Sequence, residues 1–188
     1  MRLFVAMDLS EQVRASMAEF CEKLRRLCPS AKWTRVEGMH VTLKFIGEVL
    51  GENLSPIQSA LAQIRSSALV HMAFRGAGFF PSAKRPRVFW VGITASPNLA
   101  EIAKEIEGGL VPLGIEPENR EFRPHMTLAR FEAPQGFEPL HDALRQAGDL
   151  DFGAVQTREF HLYQSKLLRG GAQYTKLASF PFVAGGSA

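Results

Sequence analysis

An internal repeat constrains the fold of this chain of 188 residues more than any other feature of its sequence. The segment RLFVAM at 2–7 resembles RVFWVG at 87–92, and HVTL at 40–43 resembles HMTL at 125–128. In each copy the histidine follows the arginine by 38 residues, so the two matches agree without a gap. Similar sequence segments at an equal separation indicate a duplication, and two copies are too few for a solenoid.

The elements expected within the two copies also correspond. An apolar strand leads into an amphipathic helix, which begins near Ser10 in the first copy and near Ser96 in the second. A loop then leads to the His-x-Thr segment and a second helix follows. Strand-like sequence closes each copy, at 69–80 and at 155–164. Short strands joined by turns indicate antiparallel pairing.

These features predict an α+β fold for a single domain over residues 1–188. We expect a bilobal, duplicated fold of two pseudo-symmetric lobes, with repeats at about 1–85 and 86–170 followed by a C-terminal strand. Each repeat is expected to supply one antiparallel β-sheet. The two sheets are expected to face a central cleft, with the helices on the outside.

Composition, the length of the apolar stretches and the two cysteines indicate which class of protein this is. Hydrophobic residues make up 46% and charged residues 22% of the chain, as in an ordinary globular protein. No apolar stretch is long enough for a membrane span, and no signal-peptide pattern is present. Cys21 and Cys28, two helical turns apart, are too distant for a disulfide within one helix, so both are interpreted as reduced thiols. These features favour a cytoplasmic protein without membrane contact, and a monomer is the simplest expectation.

The two His-x-Thr motifs carry the chemistry that the sequence indicates. Because side chains alternate along a strand, His40 and Thr42 share one face, and His125 and Thr127 do the same. Across a groove, such pairs suit the opening of a cyclic phosphodiester, which needs one base and one acid on opposite sides of phosphorus. Histidine can fill either role near neutral pH, and threonine hydroxyls can donate hydrogen bonds to the phosphate oxygens. No metal or other cofactor is expected, because no cluster of metal-binding residues is evident in the sequence.

A structural role for the motifs is the alternative. A duplicated strand could keep a histidine and a threonine as polar residues whose hydrogen bonds are satisfied. Two copies embedded in a repeat favour catalysis over that alternative. The symmetry of the copies leaves open which histidine is the acid and which is the base.

The motifs and the segments around them resemble the 2H phosphoesterase family, and within it the RNA 2′,3′-cyclic phosphodiesterases, also called LigT-like 2′-5′ RNA ligases. The segments that carry the resemblance follow the family's order over nearly the whole chain: RLFVAMDL at 2–9, HVTLKFIGE at 40–48, RVFWVG at 87–92, FRPHMTLAR at 122–130 and FHLYQS at 160–165.

The resemblance implies a bilobal fold whose central cleft hydrolyses a 2′,3′-cyclic phosphate at an RNA end to a 2′-phosphate. It implies that His40 is the proton donor and His125 the proton acceptor. It also supports Arg130 as a phosphate-binding residue, against the alternative of a surface arginine. The implied partner is therefore RNA that ends in a 2′,3′-cyclic phosphate, with tRNA fragments as one candidate.

Other functions stay open on the sequence alone. The same histidines could join RNA ends through a 2′-5′ linkage, or hydrolyse a small cyclic nucleotide or a 2′-5′ oligonucleotide. A non-catalytic module that binds RNA ends is a further alternative, although both motifs are intact. The basic turn at 84–87 could guide an RNA backbone, and Phe45 or Tyr163 could stack on a base, but a solvated loop and core aromatic residues are the commoner explanations.

Overall fold

The computed structural model describes residues 1–132, 136–168 and 171–182. Within these ranges the chain forms four α-helices and nine β-strands. The helices are α1 (Glu11–Arg25), α2 (Leu54–Leu61), α3 (Asn98–Leu110) and α4 (Glu138–Gln146). The strands are β1 (Arg2–Met7), β2 (Lys32–Trp33), β3 (Val41–Glu48), β4 (Val70–Phe80), β5 (Val88–Ala95), β6 (His125–Arg130), β7 (Asp151–Thr157), β8 (Glu159–Leu168) and β9 (Gly171–Pro181).

The strands form two antiparallel sheets, which confirms the predicted α+β class. The first sheet has the order β3-β1-β8-β9 and the second has the order β2-β6-β5-β4-β7. Every pairing between strands in the two sheets is antiparallel. The strand pair β1–β3 in the first sheet corresponds to β5–β6 in the second, so the duplication is visible in the topology.

The expectation of one sheet per repeat is wrong, because each sheet takes strands from both halves of the chain. The segment 155–164, predicted as one strand, divides at Arg158 into β7 and β8, which belong to different sheets. Strand β4 pairs with β5 across a short turn, which keeps it in the second sheet. Strand β8 pairs with β1 and so completes the first sheet. The repeat boundaries at about 85 and 170 stay predictions.

The long helices are exchanged between the sheets in the same way. Helix α1 packs on β7 of the second sheet, and α3 packs on β3 of the first. Ser10 caps α1 as predicted, since its hydroxyl accepts the backbone N–H of Val13 at 3.3 Å. The predicted cap at Ser96 is wrong, because its hydroxyl donates to the Asn98 side chain at 2.6 Å instead. None of the helices in the described ranges is long and apolar enough to cross a membrane.

One continuous core joins the two sheets and the helices. Its buried side chains come from all four helices and both sheets. Cys21 and Cys28 are buried in it as free thiols, as predicted. Burial raises the pKa of the Cys21 thiol to about 12, so that thiol is protonated at neutral pH.

Candidate active site

The two motifs lie on equivalent strands of different sheets. His40 directly precedes β3, and His125 is the first residue of β6. Strands β3 and β6 contact each other where the two sheets meet. As the predicted alternation requires, the apolar motif residues are buried while the four histidine and threonine side chains are only half-buried; the buried residues are Val41, Leu43, Met126 and Leu128.

Both imidazoles are held by the same hydrogen bond. His40 Nδ1 donates to the carbonyl of Gly38 at 2.7 Å, and His125 Nδ1 donates to the carbonyl of Arg123 at 2.8 Å. A carbonyl oxygen can only accept, so the proton must be on Nδ1 in each ring. Nε2 is therefore the atom with which each neutral imidazole can take up a proton. The two histidines therefore share one tautomer and the same arrangement relative to their strands.

A β-bulge follows the threonine in each motif. In the first sheet Ala6 pairs with Thr42 and Val5 with Lys44, which leaves Leu43 without a partner in the register. An extra residue in a strand reverses the later alternation. The residue three positions after Thr42 therefore returns to the face of the motif.

The second bulge brings Arg130 to the motif face by the same displacement. Trp90 pairs with Thr127 and Phe89 with Ala129, so Leu128 is the extra residue. Arg130 is exposed at the end of β6. The corresponding residue of the first motif is Phe45, which is 48% exposed. The pseudo-symmetric site thus carries a guanidinium on one side and an aromatic ring on the other.

Electrostatics connect Arg130 with the first motif. Burial lowers the pKa of His40 to about 4, and the positive charges of Arg14 and Arg130 act in the same direction. The hydrogen bond to Gly38 and the charge of Asp8 oppose this lowering of the pKa. Since Arg130 belongs to the second motif and His40 to the first, the two motifs share one electrostatic site.

Aromatic rings contact both histidines, an arrangement that the sequence does not predict. Phe4 stacks on His40 at 4.6 Å between ring centroids, and the ring of Tyr174 meets the same imidazole edge-on at 5.2 Å. On the second sheet, Phe80 lies edge-on to His125 at 5.1 Å and contacts Trp90 at 4.9 Å. These neighbours come from strands distant in sequence, so only the strand register reveals them.

The basic turn and Tyr163, both proposed from the sequence as RNA contacts, have other partners in the structure. The turn at 84–87 carries three exposed basic side chains, and Arg87 donates to the carbonyl of Glu132 at 2.9 Å. The hydroxyl of Tyr163 donates to Asp8, and its ring stacks on Phe4 at 5.3 Å between ring centroids. In the described part of the chain, no three His, Cys, Asp or Glu side chains are grouped to hold a metal ion.

A duplicated fold with one His-x-Thr motif on each of two equivalent strands is the arrangement that the resemblance to the 2H phosphoesterases predicts. The sequence matches the family described as LigT like Phosphoesterase twice, over residues 7–90 and 91–174. The chain therefore belongs to the LigT-like phosphoesterases of the 2H family, as the sequence predicted. The same match confirms that the protein is an enzyme of the phosphoesterase class.

Relatives and solved structures agree with this assignment. The protein named RNA 2′,3′-cyclic phosphodiesterase of Methanocaldococcus jannaschii is 34% identical over 174 residues, covering 93% of this chain and 96% of that one. The protein of the same name from Aeropyrum pernix is 40% identical over 142 residues, covering 75% and 80%. The crystal structure of TT0787 of Thermus thermophilus has a TM-score of 0.81 at 29% identity, covering 97% and 98%. Escherichia coli LigT complexed with 3′-AMP has a TM-score of 0.76 at 25% identity, with the same coverage.

Proposed function

We propose that this protein hydrolyses 2′,3′-cyclic phosphate ends of RNA to 2′-phosphomonoesters, with His40 and His125 as a metal-independent acid–base pair. The observation that carries the proposal is the matched pair of Nδ1–H bonds, which leaves Nε2 of both histidines available for proton transfer. The relatives named RNA 2′,3′-cyclic phosphodiesterase support the substrate class. The LigT complex with 3′-AMP supports a nucleotide as the ligand of this fold.

The proposed reaction uses one proton at each histidine. His125 Nε2 takes a proton from a water molecule while the water oxygen forms a bond to phosphorus. The bond between phosphorus and O3′ breaks, and His40 Nε2 gives its proton to the departing O3′. The products are a free 3′-hydroxyl and a 2′-phosphate. A positioned acid or base each contributes about 10²–10⁴-fold to a rate.

Hydrogen-bond donors around the phosphate complete the proposed mechanism. The hydroxyl of each motif threonine, Thr42 or Thr127, lies on the same face of the strand as the histidine of that motif. Both hydroxyls can donate hydrogen bonds to the non-bridging phosphate oxygens. Arg130 adds a positive charge, and its planar guanidinium suits two phosphate oxygens at once. Phe45 offers an exposed ring on the same face as the first motif, where the terminal base could stack. The proposal thus places the phosphate toward Arg130 and the base toward Phe45.

The state of His40 before substrate binds has a consequence for the mechanism. A pKa of about 4 leaves His40 neutral at neutral pH. A phosphodiester anion raises the pKa of a nearby imidazole because it favours the charged form. We therefore propose that His40 becomes protonated at Nε2 when the substrate binds, and that this proton is then transferred to the leaving O3′.

Biological context is part of the same proposal. We expect a monomer that acts in the cytoplasm on cleaved RNAs, of which tRNA fragments are one candidate. By microscopic reversibility the same histidines could join ends through a 2′-5′ linkage. Small cyclic nucleotides and 2′-5′ oligonucleotides are further substrates to compare in the same assay.

The test uses an oligoribonucleotide that ends in a 2′,3′-cyclic phosphate. His40→Ala and His125→Ala should each lower kcat by about 10²-fold or more. The double variant should be little worse than either single variant, because the two groups act in one step. His71→Ala is the matched control, since His71 is exposed on the second sheet and bonded to Gln156.

Three outcomes would contradict the proposal. Unchanged turnover in either histidine variant would remove that residue from catalysis. A wild-type protein that binds the oligonucleotide without turnover would be a binding module. Turnover of small cyclic nucleotides or 2′-5′ oligonucleotides in place of the RNA end would change the substrate class.

A further inference from the structure

The two histidines differ in the residue that lies opposite each of them in the sheet. In the first sheet Met7 pairs with Val41, so the next step of the antiparallel register sets Asp8 across from His40. In the second sheet the partner of His125 is Gly92. One catalytic strand therefore faces a carboxylate, and the other faces a residue without a side chain.

Gly92 cannot be replaced by an equivalent acid without moving the strands. A Cβ atom at this position would lie 2.8 Å from the backbone carbonyl oxygen of Arg75. The close approach of β4 thus excludes a side chain opposite His125. The spacing of the strands thus prevents the second sheet from placing a carboxylate opposite His125, as the first sheet places Asp8 opposite His40.

Asp8 is fixed in place by three side chains from β8 and β9. Tyr163 donates its hydroxyl to Oδ1, and Lys176 donates to Oδ2 at 2.7 Å. His161 Nε2 lies 3.4 Å from Oδ2, and His161 Nδ1 is 2.9 Å from the Ser179 hydroxyl. Burial alone would raise the pKa of Asp8, but the hydrogen bonds from Lys176 and Tyr163 outweigh it and lower the pKa below its ordinary value. The carboxylate is therefore ionised at neutral pH.

Stacked rings connect Tyr163, which donates to this carboxylate, with His40. The ring of Tyr163 stacks on Phe4 at 5.3 Å, and Phe4 stacks on His40 at 4.6 Å. Phe4 is 2% exposed, so its ring gives this side of His40 an apolar surrounding that excludes water. A charge acts more strongly across such a region than across water.

We propose that Asp8 is the positioning residue that makes the two histidines unequal, by stabilising the imidazolium form of His40 and so assigning proton donation to the first motif. This inference rests on the proposed function, since it explains how one of two similar motifs becomes the acid. Asp8 acts through His40 and does not touch the substrate.

The other charged groups around His40 act against Asp8. Arg14 of α1, whose guanidinium donates to the carbonyls of Val36 and Met39, is positive, and so is Arg130 of β6. Rings of Tyr163 and Tyr174 face His40 from β8 and β9.

Two further charged groups lie beside Asp8 or beside its neighbour His161. Lys176 partly offsets the charge of Asp8, and Glu159, whose Oε1 is 3.9 Å from His161 Nε2, adds a negative charge farther away. Asp8 is thus the carboxylate through which the site supports a protonated His40.

An NMR titration of the histidine Cε1–H signals tests the charge effect without using activity. Asp8→Asn should lower the pKa of His40 by about one unit, both in the free protein and with saturating inorganic phosphate, and should leave His125 unchanged. Asp142→Asn, which removes an exposed carboxylate on α4 paired with Arg145, is the matched control. If Asp8→Asn fails to fold, Lys176→Met serves instead, and it should shift the His40 pKa upward.

The pH dependence of kcat tests the assignment of roles. Because an acid must be protonated, Asp8→Asn should move the alkaline limb to lower pH. On the alkaline side of that limb activity should then fall about tenfold, with little change on its acidic side, where His40 in the enzyme–substrate complex stays protonated. Asp8→Glu should restore part of the loss.

The two experiments separate the failure of this inference from failure of the proposed function. An unmoved His40 titration overturns the role of Asp8. A shift of the acidic limb instead of the alkaline limb overturns the assignment of His40 as donor. A wild-type protein without phosphodiesterase activity would defeat the proposed function, and the titration would still decide whether Asp8 acts on His40.

Discussion

The substitution Glu107→Gln removes the negative charge of a buried ion pair between Lys44 on β3 and Glu107 on α3. The Lys44 ammonium lies 2.7 Å from Glu107 Oε1 and donates to the Glu116 carbonyl at 2.7 Å, and the Lys44 side chain is 1% exposed. Glu107 Oε2 accepts the backbone N–H of Glu118 at 2.9 Å. The pair therefore connects β3, which carries the first motif, to the loop that leads to His125.

The expected cost follows from the exposure of the two partners. Breaking a buried pair from one side costs about 3–5 kcal/mol, because the remaining charge stays buried. The Gln amide still offers Lys44 an acceptor oxygen, so we expect about 3 kcal/mol for Glu107→Gln. Lys44→Met should cost only about 1–2 kcal/mol, since Met is similar in size and the remaining Glu107, 22% exposed, can reach water.

Thermal and urea unfolding of both single variants and the double variant measure these costs. For a domain of this size, about 3 kcal/mol corresponds to a Tm lower by roughly 6–12 °C. The double variant should be more stable than Glu107→Gln alone, because no unpaired ammonium remains. A Lys44→Met variant that loses as much stability as Glu107→Gln, or costs that simply add in the double variant, would refute this reasoning.

Four further predictions concern the site. Arg130→Lys should lower kcat/KM by about tenfold, since an ammonium cannot contact two phosphate oxygens in a plane, while Arg85→Met in the exposed turn should change it little. Phe45→Ala should raise KM by about tenfold at nearly constant kcat and stability, as expected for the loss of one base stack, and an unchanged KM would exclude stacking there. Gly92→Ala should lower Tm and activity because of the 2.8 Å approach to the Arg75 carbonyl oxygen, whereas Gly108→Ala, in open space on α3, should raise Tm slightly. The pKa of His40 is lowered to about 4 in the folded chain, so the unfolded chain binds more protons between about pH 6.5 and 4. The free energy of unfolding should therefore fall by up to about 3 kcal/mol as the pH falls through that window. In urea unfolding, His40→Asn should make this dependence on pH less steep.

The sequence predicts the fold class and the two motifs because both depend on local patterns. Helical spacing predicts α1, and its cap at Ser10 is confirmed. The hairpin of β4 and β5 is also predicted, since a short turn joins two strand-like segments. The repeat places the His-x-Thr motifs on equivalent strands, and the roles of their side chains stay proposals.

The features that the sequence misses depend on contacts between distant segments. The division at Arg158 is invisible in a continuous run of strand-forming residues, because it is decided by which sheet edge each half meets. The bulges at Leu43 and Leu128 depend on strand register, and they decide the face on which Arg130 lies. A lysine in a strand is ordinarily expected to be exposed. The burial of Lys44 follows from its ion pair with Glu107 on α3, which the local sequence pattern does not indicate.

The fate of the phosphate tests the central claim most directly. The wild-type protein is incubated with EDTA and a cyclic-phosphate oligoribonucleotide in water enriched in ¹⁸O, and the product is identified by phosphorus NMR and mass spectrometry. We expect undiminished turnover to a 2′-phosphate that carries one ¹⁸O, and we expect this turnover to be lost in both His40→Ala and His125→Ala. A 3′-phosphate product, or turnover that stops when EDTA is added, would contradict it.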